Sequence, residues 1–203
     1  SDFVTPSVTQ YAVDGISCHT TYRLSVTLNT DMPAGERAYS IHTIYGDRAA
    51  PMVLPPAYQV VGDFGADTGG VYEAFIGQSP SSAFDSWLTI GSDDWIGFTT
   101  VVSTGIDFAS WTSSVGLTVE SGAIVNSDTS AAGRGVVLVA QITIPTSATT
   151  TTVVMDFQGH SQDRSNVVDL GDQIDDWRQT GVVFELSNSA APAVTCESVD
   201  ECA

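Results

Sequence analysis

The side chains with which this chain of 203 residues would do chemistry are three histidines, three cysteines, four tryptophans and 24 acids. His19, His42 and His160 form no His-x3-His spacing, and the cysteines form no Cys-x2-Cys pair, so the local signatures of a transition-metal site are missing. No Gly-x-Ser-x-Gly elbow places a serine nucleophile. Serine and threonine number 23 each, so a Ser, His and Asp grouping arising by chance carries no information. His42 stands between Ile41 and Thr43 in a strand-like run and reads as an outward-facing residue.

A pair of carboxylates is the more serious catalytic arrangement, because a glycosidase needs one acid held protonated in an apolar setting and one ionised. Asp85 near Trp87, Asp94 beside Trp95, Asp107 beside Phe108 and Asp176 beside Trp177 offer aromatic-acid neighbours. None of the glutamates (Glu36, Glu73, Glu120, Glu185, Glu197 and Glu201) lies in an aromatic cluster. Tryptophans that pin a core and aspartates that cap turns explain the same pattern. The expectation is therefore a protein that is not an enzyme.

Acids in flexible loops also suit a hard cation, which takes several oxygen ligands. Asp63 and Asp67 sit four apart in a glycine-rich stretch, and Asp172, Asp175 and Asp176 form a second group. Neither matches the EF-hand loop. Calcium is accordingly the one cofactor expected, if there is any, with solvated turn acids as the alternative.

Charge narrows the partners. Six arginines and no lysine stand against the 24 acids, a net charge of -18. A phosphate-binding surface needs clustered cations, so nucleic-acid partners are excluded. No apolar run reaches the ~18 residues of a membrane-spanning helix. The expected partners are other copies of the chain and, with the tryptophans as stacking platforms, polysaccharide.

The elements that must position these groups follow a period of two. Tyr22, Leu24, Val26 and Leu28 alternate with Arg23, Ser25, Thr27 and Asn29, which predicts a half-buried strand. Residues 38–45 read as its returning strand, and 84–90 as a short strand holding Trp87. Residues 135–144 form a nearly continuous apolar run, the pattern of a central strand buried on both faces. The β-branched stretch 149–157 reads as its hairpin partner and 181–186 as the last strand. One or two helical turns are expected, at 171–179 and at 80–83. Together these predict an all-β fold, an antiparallel β-sandwich of jelly-roll or immunoglobulin-like type.

Residues 15–187 are expected to form the sandwich and 188–203 a linker followed by the start of a cysteine-rich module. Residues 1–14 carry Phe3, Val4, Val8, Tyr11 and Val13 with only Pro6 as punctuation. They read either as the sandwich's first strand or as a donor arm that completes the sheet of a neighbouring copy. Cys18, Cys196 and Cys202 leave an odd thiol and no readable pairing, but they favour an oxidising, extracellular or cell-surface setting. No Asn-x-Ser/Thr sequon occurs. Thr149, Thr150, Thr151 and Thr152, close to Pro145, suit either O-linked glycans or a β-rich hairpin.

Two resemblances add to this. The tail 196–203, with its Val-Asp-Glu-Cys-Ala string, resembles the opening of a calcium-binding EGF-like module. Tyr22-Arg23-Leu24, Tyr45-Gly46-Asp47, Phe84-Asp85-Ser86-Trp87-Leu88-Thr89-Ile90-Gly91 and Val137-Leu138-Val139-Ala140-Gln141 resemble an uncharacterised family of secreted all-β domains from surface proteins of aquatic microbes. That resemblance spans roughly residues 20–186 and implies a surface or matrix module without a catalytic motif. The resulting expectation is an extracellular structural subunit of a fibre or matrix, joined by β-strand pairing between subunits, with a carbohydrate-binding module as the alternative.

Overall fold

The computed structural model describes residues 2–31, 37–91, 100–127, 134–148, 150–161 and 176–187. Among them are nine strands: β1 (Val4–Val13), β2 (His19–Leu28), β3 (Ser40–Leu54), β4 (Trp87–Leu88), β5 (Val101–Thr104), β6 (Leu117–Asn126), β7 (Val136–Pro145), β8 (Thr150–His160) and β9 (Asp176–Ser187). They form two antiparallel sheets, ordered β1-β2-β7-β4 and β5-β6-β3-β8-β9. The chain is thus an all-β sandwich. One short helix, α1 (Glu73–Gln78), and 3-10 turns at Pro80–Phe84 and Phe108–Ser110 lie in the connections. No helix among the described residues is long and apolar enough to cross a membrane.

Alternation explains the core. Tyr22, Leu24, Val26 and Leu28 of β2 enter the space between the sheets, where they meet Ile44 and Met52 of β3 and Phe157 and Phe184 of the facing sheet. Each buried aliphatic or aromatic side chain of this kind contributes roughly 1.5–3 kcal/mol. Residues 137 and 139–144 of β7 are buried, as its apolar run predicts for an inner strand.

Strand partners differ from the expectation. β3 does not return beside β2, and β8 does not form a hairpin with β7; each crosses to the five-stranded sheet. Both edges of β7 are taken, one by β2 and the other by β4, Ser86 Oγ and the Tyr58 N–H. Periodicity records which face of a strand is buried and not which neighbour it pairs with. The turn expected over 171–179 is also corrected at 176–179, which open β9. Trp177 is buried between exposed Asp176 and Arg178, a period of two that a helix would not keep. The single turn expected near residue 80 is present.

Candidate functional site

The seat of β1 is built from both sheets. β1 pairs antiparallel with β2 from Val4↔Leu28 to Val13↔Thr20, with a bulge between Gln10 and Ala12. Val4 is 1% exposed and lies in the core, while Phe3 and Val8 pack against it. The Phe3 ring stacks on Trp177 of β9 at 5.3 Å. The Gln179 side chain, also from β9, accepts from Val4 N–H at 2.9 Å and donates to Val4 C=O at 3.4 Å, so one amide imitates a neighbouring strand. Tyr11 and Val13 stay outside, 50% and 40% exposed, with the Arg23 guanidinium 4.1 Å above the Tyr11 ring.

Residues 1–14, expected as the sandwich's first strand or a donor arm, hold β1, which in the single chain completes its own sheet. The reason is local: five residues, 14–18, are enough to turn β1 onto β2, and the Val4 side chain then fills its own core. This connection is tight. Asp14 and Cys18 are the non-glycine residues with positive φ among those described, at 54° and 61°. Cys18 is also disulfide-bonded. Cys196 and Cys202 lie outside the described residues, as do Asp172, Asp175, Thr149, Trp95 and the tail 188–203.

The loop holding Asp63 and Asp67 is organised by a third acid. Asp85 is 1% exposed, and its carboxylate accepts from the N–H groups of Val60 at 2.8 Å, Ala66 at 2.7 Å and Ser86 at 3.0 Å. Burial pushes this carboxyl up to about 7, against the three donors, with the nearby Asp67 charge adding to the rise. Gln141 of β7 donates to the Ala83 and Asp85 carbonyls, so the string 84–88 is fastened to the four-stranded sheet from two sides. Asp63 and Asp67 are exposed, and among the described residues neither joins a group of three converging ligands.

Asp176, expected with Asp172 and Asp175 as a calcium ligand, lies beside two histidines. Its Oδ1 lies 2.8 Å from His160 Nδ1, and its Oδ2 accepts from Gln158 Nε2 at 3.2 Å. The His42 and His160 rings lie 4.3 Å apart, centroid to centroid. Burial alone would raise the Asp176 carboxyl. The hydrogen bonds from His160 and Gln158, with the positive fields of His160 and His42, outweigh it and hold the carboxyl below its ordinary range. His42, expected to face outward, is half-buried because the ladder between β3 and β8 shifts register between Ile41 and Thr43 and turns it toward β8.

Two further expectations bear on sugars. Trp87, Trp111 and Trp177 are buried, and Trp111 Nε1 donates to the Pro55 carbonyl, so none of the three is a stacking platform. Thr150, Thr151 and Thr152 open β8, paired with Ser187, Leu186 and Glu185, with Thr150 and Thr152 exposed. No protein-family model, curated protein or solved structure matches the chain.

Proposed function

We propose that this is a non-catalytic extracellular building block, a repeating subunit of a fibre or matrix in which β1 of one copy takes the β1 seat of the next. The observation that carries this reading is the strained connection behind β1. Two left-handed non-glycine residues within five positions cost roughly 1–2 kcal/mol each, and short hinges under strain favour exchange. An exchanged strand keeps every backbone bond to β2 and both bonds to Gln179, while residues 14–18 are released from the tight turn. Head-to-tail exchange does not close on itself and so builds a polymer. The disulfide at Cys18 and the acidic, lysine-free composition support an oxidising, extracellular setting.

A crosslink tests it. Ser7 and Ser25 are register partners, so Ser7→Cys with Ser25→Cys reports which chain supplies β1. Oxidised under conditions where the protein assembles, the exchanged form gives a ladder of covalent multimers on a non-reducing gel. Assembly accompanied only by crosslinked monomer would sink the proposal. A second reading, polysaccharide binding, draws on the cluster of Phe64, Phe75 and Tyr72, whose rings lie 5.7 and 5.5 Å apart beside a groove of about 680 Å³.

A further inference from the structure

We infer that His42, His160 and Asp176 form a binding site for a divalent transition-metal ion of the zinc class. Each offers one ligand atom, and the three atoms lie within 4.8 Å of one another, the single such group among the described residues. Bonds of ~2.0–2.1 Å to a tetrahedral ion require ligand atoms roughly 3.4 Å apart, so binding draws the three inward from their present spacing. Two imidazoles and one carboxylate suit zinc, iron or nickel; calcium prefers an all-oxygen shell.

The surroundings are those of a site. Three adjacent strands of one sheet supply the ligands, and His160 is register partner to Asp176. His160 is 4% exposed, yet its Nε2 is buried without a hydrogen-bond partner. A metal bond at Nε2 would satisfy this atom, and the Asp176 carboxylate, which sits on Nδ1 at the other edge of the ring, then has to turn to reach the same ion. Groups behind the ligands are in place as well. His42 Nδ1 lies 2.7 Å from Thr43 Oγ1, which leaves Nε2 as its ligand atom, and Gln158 holds the second oxygen of Asp176. The Asp176 side chain is 36% exposed, so solvent reaches the site from that side and supplies the remaining coordination position.

The test uses the full oxidised chain, with any free thiol alkylated and excess Ca2+ present to occupy the exposed acids. Titration with Co2+ should show one saturable equivalent with d–d absorption, and NMR should show the His42 and His160 ring signals broadened while His19, on β2, stays sharp. Asp176→Asn, on the exposed side, and His160→Gln should each weaken binding at least ten-fold. Circular dichroism checks the fold of both variants, and Asp176→Asn alone decides if His160→Gln does not fold. Absence of a saturable equivalent, unchanged affinity in Asp176→Asn, or equal broadening of His19 would overturn the site.

Discussion

Asp85 accepts three main-chain hydrogen bonds, and replacing it has a calculable outcome. Its Oδ1 serves Val60 and Ser86, and its Oδ2 serves Ala66. Asparagine keeps one oxygen for the first pair and turns an N–H toward the Ala66 N–H, so one bond is lost and its donor is left without a partner, about 1–3 kcal/mol. Alanine leaves all three donors without a partner; Val60 and Ala66 are half-buried and partly recover water, which puts the loss at about 3–5 kcal/mol. The pH dependence has a definite sign. Because the folded carboxyl sits near 7 and its ordinary value is 3.8, its contribution is fully present below the ordinary value and is lost as pH rises through 7. At about 1.4 kcal/mol per pH unit, that loss is roughly 2–3 kcal/mol between pH 5 and pH 8. Other acids also repel one another as pH rises, so the informative quantity is the difference between wild type and Asp85→Asn in urea unfolding at the two pH values, with m constant. That difference should shrink toward pH 8. An Asp85→Asn protein as stable as wild type at pH 5, or an Asp85→Asn protein no more stable than Asp85→Ala, would refute the account.

Other substitutions probe the remaining contacts. Gln179→Ala removes both side-chain bonds to Val4 and should cost about 1–2 kcal/mol, while speeding hydrogen exchange at the Val4 amide in mass-spectrometric peptides covering β1. Gly159→Ala should abolish folding or cost more than about 3 kcal/mol in thermal melts, since a Cβ there would collide with the Ser40 carbonyl oxygen and lie 2.6 Å from the Trp177 ring. Tyr72→Ala should leave the melting temperature within a degree or two and abolish any glycan-array signal, if the second reading is right. Assembly of the wild-type chain should be weaker at low ionic strength than at high, as light scattering would show, because each subunit carries -18.

Much of the sandwich was legible in the residues, because burial imposes a period. The alternation of 22–28 and the nearly continuous apolar run of 135–144 each mark how many faces of a strand are covered, and β2 and β7 follow. Which strands pair was not legible, since ladder bonds are made by backbone that every residue shares. β6 went unseen because its alternation breaks at Glu120–Ser121, where the register between β3 and β6 slips between Asp47 and Met52. The histidine pair was hidden for a related reason. His42 and His160 are 118 positions apart, and register plus a bulge brings them together, so no spacing along the chain announces them. Asp176 was picked out, but with the acids that precede it in sequence and not with the histidines beside it in space.

For the proposed assembly, the guarded edges of the molecule favour one of two ways of joining copies. Adding a new strand outside β1 is obstructed, because Gln179 already occupies the outward backbone groups of Val4 and the next outward position is Pro6, which has no N–H to give. β4 and β5 are two and four residues long, too short to hold a partner by ladder bonds alone. β9 presents Arg178 and Glu185 along a strand that already packs beside β1. Replacement of β1 avoids these obstacles, since the incoming strand inherits a seat made for it. Its driving force is correspondingly small, about the strain released at Asp14 and Cys18, and it works against the mutual repulsion of two acidic bodies. The proposed polymer would form at high local concentration and fall apart slowly once formed, because each strand must unzip from β2 and withdraw Val4 from the core before it can leave.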